Sequence, residues 1–237
     1  GTRWGGLNRL LNGQVTVYTR AEGLLHDDVR SLAEDPAGGI WVGSAGGLNF
    51  VHEGRVTAPR LATEPASPLV SALYMDRKGT LWVGTNATLW EVPDAARHRE
   101  AAATLPATRR YAGTEVRAFF EDPVGSLWVG LGWGVARIRG DRFEVTTDRD
   151  RLSHHHVRAL AGDREGSLWI GTDGGGLNRW RDTSIVLLPD SGTAMSLLAV
   201  YRAADGAMWA GGNCGGAARW ANGVATRVTT ADGLPTG

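Results

Sequence analysis

Five tryptophans recur at a nearly constant spacing along this chain of 237 residues, and the same short pattern surrounds each of them. They are separated by 41, 46, 41 and 40 residues, and they are Trp41, Trp82, Trp128, Trp169 and Trp209. The shared pattern is D-x-x-G-x-[ILM]-W-[VIA]-G, whose first residue is Asp35, Asp76, Asp122 or Asp163 and is replaced by Ala203 in the fifth unit. Such a period means that the chain is an array of equivalent structural units.

Each unit has the sequence features of four short β-strands. An aliphatic residue stands twelve positions before each tryptophan and a small residue follows it two positions later, which suits a strand crowded against its neighbours. The Asp-x-x-Gly step predicts a tight turn, because Asp accepts backbone hydrogen bonds and Gly takes positive φ. The tryptophan strand, a Gly-Leu strand and a fourth strand after a polar break complete the unit. The paired aliphatic and small positions are Val29 and Ser31, Val70 and Ala72, Val116 and Ala118, Val157 and Ala159, and Leu197 and Ala199.

The predicted fold class is all-β, specifically a β-propeller of four-stranded antiparallel blades. The chain supplies five complete blades and a half blade, which we interpret as part of a seven-bladed ring; a six-bladed ring closed by an incomplete blade is the alternative. Residues 93–103 form the one candidate helix, an insertion that accounts for the interval of 46 residues. The predicted units are residues 1–20 (the half blade), 21–61, 62–107, 108–148, 149–189, 190–230 and 231–237, the start of the next unit.

The repeated tryptophan and aspartate are predicted to be structural. A large aromatic ring can fill the gap between adjacent blades, and the same inter-blade packing is predicted for Trp90, Trp180 and Trp220. One carboxylate per turn offers too few oxygens for calcium, so capping of the turn explains the repeated Asp better.

Composition excludes several classes of function. The 25 basic and 25 acidic residues cancel, so no field toward nucleic acid or anionic lipid is expected. The single Cys214 allows no internal disulfide and is predicted to be a small space-filler. No stretch is apolar enough to span a membrane, no secretion signal is visible, and no membrane contact by this segment is expected. No nucleophile elbow, phosphate loop or zinc-protease motif is present, so no catalytic residue can be nominated.

The repeated pattern resembles the two-component regulator propeller repeat. The resemblance covers nearly all of the chain and is closest at Gly166 to Leu177, which reads G-S-L-W-I-G-T-D-G-G-G-L. It departs in single units, for example at Ala203 and at Asn86-Ala87-Thr88, where glycines are missing. The resemblance implies a sensory region of a bacterial hybrid histidine kinase or related receptor, lying outside the cytoplasmic membrane. It also implies a second propeller and a receptor homodimer.

The resemblance further places ligand contacts on the face where the loops before the first strand and after the second strand gather. The polar and aromatic residues of these loops vary from unit to unit, as expected of a recognition surface, although ordinary solvated loops have this composition too. The candidate ligand-binding residues are His26, Asp28, Asn86, Trp133, His154, His156, Asp173 and Asn213.

Two of these loops stand out. In an extended segment His154 and His156 point to one side, yet two neighbouring ligands do not make a metal site, so no metal and no cofactor is predicted. Trp133 replaces a turn glycine and either stacks on a ligand such as a sugar ring or packs across the channel mouth. The predicted function is therefore ligand sensing, with a small molecule or carbohydrate, or a partner domain, as the ligand. A propeller lyase or hydrolase and a pure protein-interaction scaffold are the alternatives.

Overall fold

The computed structural model describes residues 1–62, 68–98, 104–147, 151–181, 184–188, 196–213 and 216–234. They form two compact units, Gly1–Val116 and Arg117–Gly237, which are described separately below. In the described residues the secondary structure is β-strand with single turns of 3-10 helix and no α-helix. The predicted all-β fold class is therefore confirmed.

The first unit contains one two-stranded sheet, two four-stranded antiparallel sheets and a short parallel pair. The sheets have the strand orders β1-β2, β3-β4-β5-β6 and β8-β9-β10-β12, and β7 pairs with β11. The strands are β1 Leu7–Leu11, β2 Gln14–Tyr18, β3 Val29–Glu34, β4 Ile40–Ser44, β5 Gly47–His52, β6 Arg55–Thr57, β7 Arg60–Leu61, β8 Val70–Met75, β9 Leu81–Thr85, β10 Thr88–Val92, β11 Thr104–Leu105 and β12 Thr108–Ala112.

The second unit contains three four-stranded sheets, in the orders β13-β14-β15-β16, β17-β18-β19-β20 and β21-β22-β23-β24. Each of these sheets therefore pairs its strands in chain order, as the four-strand interpretation of the repeat predicts. The strands are β13 Val116–Glu121, β14 Leu127–Leu131, β15 Gly134–Arg139, β16 Arg142–Thr146, β17 Val157–Gly162, β18 Leu168–Thr172, β19 Leu177–Arg181, β20 Ser184–Leu187, β21 Leu197–Arg202, β22 Met208–Gly212, β23 Ala217–Ala221 and β24 Val224–Val228.

One predicted unit boundary is wrong. The sequence predicts that a new repeat starts at residue 108. In the structure β12, which begins at Thr108, instead pairs with β10 and completes the second four-stranded sheet. The insertion separates β10 from its partner, and the parallel pair β7–β11 lies within this longer connection. A repeat period cannot show which side of an insertion the last strand falls on, because the insertion itself breaks the period.

The remaining regular structure consists of 3-10 turns. Arg20–Glu22 and Thr230–Asp232 follow β2 and β24, and each is closed by a capping box with a left-handed glycine after it. The two turns share this geometry because their sequences are alike, Ala21-Glu22-Gly23-Leu24 and Ala231-Asp232-Gly233-Leu234. Of the candidate helix at 93–103, a single turn at Ala95–Arg97 is present, and residues 99–103 lie outside the described part.

The turn role of the repeated aspartate is confirmed, and the structure adds a second role. One carboxylate oxygen of Asp163 accepts the amides of Glu165 and Ser167 at 2.9 and 2.8 Å, and the other accepts the indole N–H of Trp169 at 2.8 Å. The same indole bond occurs in the other three sequence repeats that have the aspartate. It measures 3.0 Å between Trp41 and Asp35, 2.9 Å between Trp82 and Asp76, and 3.1 Å between Trp128 and Asp122.

The fifth tryptophan differs from the other four. Trp41, Trp82, Trp128 and Trp169 are buried, whereas Trp209 is only partly buried. The expectation of five equivalent rings is therefore wrong for Trp209. Ala203 offers no carboxylate to its indole N–H, so nothing at that turn position fixes the ring.

Neighbouring sheets pack through these rings and through a close backbone approach. In the second unit Trp128 and Trp169 meet rings of the following sheet, Trp180 at 4.9 Å and Trp220 at 6.0 Å, which confirms inter-sheet packing for those two. A Cβ on Gly130, two residues after Trp128, would lie 2.8 Å from the Val157 side chain of the next sheet. Only glycine fits at this distance, so the Trp-x-Gly pattern encodes the sheet-to-sheet contact.

Candidate functional site

The clearest concentration of functional groups in the described residues lies in two loops of the second unit. His154, His155 and His156 lead into β17, and Asp173 follows β18. The Asp173 amide donates to the His156 carbonyl at 2.9 Å, which ties the two loops together. Of the predicted ligand-binding residues, the structure thus brings His154, His156 and Asp173 into one cluster.

The three histidine rings lie against one another. The His155 ring is 4.4 Å from both the His154 and the His156 ring, stacked on the first and edge-on to the second. One nitrogen from each ring lies within 4.8 Å of the others. The extended-strand argument placed only His154 and His156 on one side, so the convergence of all three is a finding of the structure. All three rings are partly buried and remain reachable from solvent.

An arginine and a serine hold the carboxylate of this cluster. Arg158 donates from Nε to Asp173 at 3.0 Å and also from Nη2, and Asp173 pairs with Ser196 in an isolated β-bridge. Arg158 can reach the loop because it occupies a β-bulge between Val157 and Ala159, where the bulge re-aims the side chain. The Asn213 amide donates to the Ser196 carbonyl at 3.3 Å, which links this predicted residue to the same loops.

The electrostatics of the cluster keep the acid ionised and the histidine neutral. A hydrogen bond from the Ser196 hydroxyl, followed by those from Arg158, lowers the pKa of Asp173. Partial burial lowers the pKa of His156, and the charges of His155 and His154 lower it further, while Asp173 opposes them. At neutral pH the site therefore offers a carboxylate acceptor beside an imidazole able to donate or accept a hydrogen bond.

A buried asparagine supports the loop, and the sequence analysis missed it. Asn178 on β19 accepts the Ser153 amide at 3.0 Å and donates to the Ser153 hydroxyl at 2.7 Å. In the first unit Asn49 on β5 accepts the Leu25 amide at 3.0 Å in the same way. The available signal was the Gly-Leu-Asn triplet, which occurs at both positions.

The first unit contains a counterpart of this loop with different chemistry. The Asp28 amide donates to Nδ1 of His26 at 2.9 Å, as the His156 amide does to Nδ1 of His154 at 3.2 Å. Asp28 is buried and accepts both Nε and Nη2 of Arg30, at 3.1 and 2.8 Å. The carboxylate of this loop is therefore paired with an arginine, as Asp173 is, and the difference is that His26 has no neighbouring histidine.

The other candidate residues lie in other turns. Trp133 lies in the two-residue turn between β14 and β15 and is partly buried, whereas Asn86 is exposed in the turn after β9. Cys214, predicted to be a space-filler, is outside the described residues. Ligand contact by any of the candidate residues stays a prediction.

Comparison with known proteins identifies the repeat. The sequence profile described as "Two component regulator propeller" matches residues 23–46, 65–87 and 151–174. Among solved structures, the extracellular domain of BT3049 from B. thetaiotaomicron, assigned to a hybrid two component system, is 26% identical with a TM-score of 0.71. The alignment covers 87% of this chain and 29% of that one, so the chain spans less than a third of its relative. A search of curated protein sequences found no match.

Enzymes with the same fold are also similar in structure. Virginiamycin B lyase from Staphylococcus aureus superimposes with a TM-score of 0.67 at 16% identity, over 85% of this chain and 69% of the lyase. At that identity the likeness shows the propeller fold alone.

Within the residues the structure describes, there is no helix with the length and hydrophobicity needed to cross a bilayer.

Three segments of the chain match the two-component regulator propeller repeat, and the chain is 26% identical to the BT3049 extracellular domain. The chain is therefore a propeller chain that resembles the extracellular region of a two-component system and, in these three segments, the two-component regulator propeller family.

Proposed function

We propose that this chain is a ligand-sensing, extracytoplasmic segment of a bacterial two-component receptor. The observation that carries the proposal is the match to the BT3049 extracellular domain, because it joins 26% identity to a TM-score of 0.71 over 87% of the chain. The sensory role, the periplasmic location and the link to a phosphorelay follow by analogy with that protein.

The proposed ligand is a small polar molecule rich in hydroxyl groups, such as a carbohydrate. The cluster of His155, His156 and Asp173 presents imidazole nitrogens and a carboxylate that can exchange hydrogen bonds with hydroxyls. Trp133, in the corresponding turn of the preceding sheet, adds an aromatic face on which a sugar ring can stack. A few polar groups held in a preformed arrangement are the usual design of a small-molecule site.

Signalling requires the ligand to bind one arrangement of the receptor better than another, since equal affinity shifts no equilibrium. We propose that the propeller supplies the binding face and that movement occurs at its junctions, with a second propeller or a second receptor copy. A pure interaction scaffold, with a partner domain on the same loops, is the version of this proposal in which the ligand is a protein.

A thermal-shift screen of oligosaccharides and metabolites on the full chain tests the proposal, followed by calorimetric titration of each hit. For a hit bound at the loops of the second unit, His156→Ala and Trp133→Ala should each weaken binding by about tenfold or more, corresponding to about 1.4 kcal/mol. His52→Ala, at the end of β5 and outside the candidate loops, is the control and should leave the affinity unchanged. If His156→Ala and Trp133→Ala both bound the ligand with wild-type affinity, the ligand would not bind at these loops.

The structure gives one reason to keep a lyase or hydrolase as a second candidate. An enzyme of this kind needs a histidine and a carboxylate close together, and the Asp173 amide is bonded to the His156 carbonyl at 2.9 Å. Incubation of each binding hit with the chain, followed by mass spectrometry of the products, distinguishes the two functions. A sensor returns the ligand intact; an enzyme releases products at a rate that His156→Gln abolishes.

A further inference from the structure

We propose that the imidazoles of His154, His155 and His156 bind one divalent transition-metal ion of the Zn²⁺, Ni²⁺ or Cu²⁺ class. This site is independent of the proposed sensory function, because it follows from the arrangement of three side chains. Imidazole is a ligand that suits all three ions, whereas Mg²⁺ and Ca²⁺ prefer oxygen.

The distances between the rings are close to those of a metal site. One nitrogen from each histidine lies within 4.8 Å of the others. Nitrogens bound to one tetrahedral ion lie about 3.3 Å apart, because each metal–nitrogen bond is about 2.0 Å long. Rotation of partly exposed rings about their side-chain bonds can close this difference, since the His155 ring is already 4.4 Å from each neighbour.

The backbone around the histidines is held in place without the metal. The Asp173 amide donates to the His156 carbonyl at 2.9 Å, and Asn178 anchors Ser153 through two hydrogen bonds at 3.0 and 2.7 Å. Little ordering of the loop is therefore needed when an ion binds, and preorganisation of this kind favours affinity.

Ligation has one local cost. Nδ1 of His154 accepts the His156 amide at 3.2 Å, and coordination through Nε2 would place the proton on Nδ1 and break that bond. The loss of one such hydrogen bond is small beside the free energy of binding a metal through three imidazoles.

The charged residues near the three histidines are compatible with a bound cation. Arg158 is paired with Asp173, so its charge is largely compensated. Arg117 lies close enough to act on His156 and opposes a cation, which limits the affinity. Three protein ligands also leave at least one coordination position for water or for a donor atom of a bound molecule, as in exchangeable metal sites.

Calorimetric titration of the EDTA-treated, dialysed full chain with ZnCl₂ and with NiCl₂ tests the site. The expected result is one ion per chain with micromolar affinity, and a loss of about tenfold or more in His155→Ala and in His156→Ala. His26→Ala is the matched control, since His26 makes the same turn hydrogen bond in a loop without neighbouring histidines. The proposal predicts wild-type affinity in this variant.

Two further measurements keep the test decisive. Circular dichroism melting of each variant establishes that it is folded, and His155→Gln replaces His155→Ala if that variant is not. Titration with Co²⁺ should give visible absorption bands with extinction typical of a nitrogen-ligated site, and these bands should be absent from His155→Gln. No saturable binding to the wild type, or equal binding by wild type and the His155 and His156 variants, would overturn the proposal.

Discussion

At the scale of single residues, one carboxylate in each of four sequence repeats binds both the turn and a buried tryptophan. Asp163 caps the turn through two amides and holds Trp169 through its indole, so the residue that directs the chain back also fixes the largest buried ring. The sequence predicted the first role from the Asp-x-x-Gly composition. The second needed coordinates, because Asp and Trp are six positions apart on opposite sides of a turn.

The Asp163 carboxylate should make stability depend on pH in the acid range. Burial raises its pKa, but the hydrogen bonds from Trp169 and Ser167 outweigh it and hold the pKa below the ordinary 3.8. The contribution of the Asp163 carboxylate to the free energy of unfolding is therefore complete above pH 3.8 and is lost as the pH falls through the folded-state pKa. Asp163→Asn should cost about 1–3 kcal/mol at pH 7 and flatten the acid limb of a melting-temperature profile. Glu34→Gln, at an exposed strand end, is the control and should change neither the stability at pH 7 nor the acid limb of the profile.

The missing carboxylate of the fifth unit can be restored. Ala203 makes the same backbone turn bonds as Asp122, from its amide to the Ala207 carbonyl at 2.8 Å and from the Gly206 amide to its own carbonyl at 3.0 Å. Ala203→Asp should therefore reach the Trp209 indole and raise the free energy of unfolding by about 1 kcal/mol, measured by urea unfolding. Restoration should depend on the indole, so the gain should vanish when Trp209 is Phe; a gain that persisted would point to another cause.

At the scale of strands and sheets, packing depends on glycines that allow close approach. Gly130→Ala places a methyl group 2.8 Å from Val157 and should destabilise the second unit by about 1–3 kcal/mol. Gly211 is its counterpart in the last sheet, and a Cβ there meets nothing within 4 Å. Gly211→Ala should be neutral or stabilise by up to about 1 kcal/mol. Comparison of the two melting temperatures checks this, and equal effects would argue against the sheet-to-sheet contact at Gly130.

Elements were predictable from the sequence where the repeat is regular and unpredictable where it is interrupted. Hydrophobic positions and turn residues predicted β17 to β19 correctly, because a strand and its turn are encoded within a dozen residues. The pairing of β12 with β10 was missed, since it spans an insertion. The convergence of His155 with its neighbours was missed as well, because it departs from the alternating geometry of a regular strand.

At the scale of the whole molecule, one construction is used in repeat after repeat, and the proposed function lies in the loops that vary. The sequence predicted the fold class and the family, since scaffold positions recur. It predicted the members of the loop cluster only as candidates, because His156 and Asp173 meet through contacts between loops 17 residues apart.

Hydrogen exchange of the tryptophan indoles, followed by ¹⁵N NMR, tests this repetition most directly. The indole N–H groups of four rings should exchange slowly because each is bonded to a turn carboxylate away from solvent: those of Trp41, Trp82, Trp128 and Trp169. The indole of Trp209, which has Ala203 at the turn position, should exchange markedly faster. Rapid exchange at any of the four, or protection of Trp209 equal to theirs, would contradict the account.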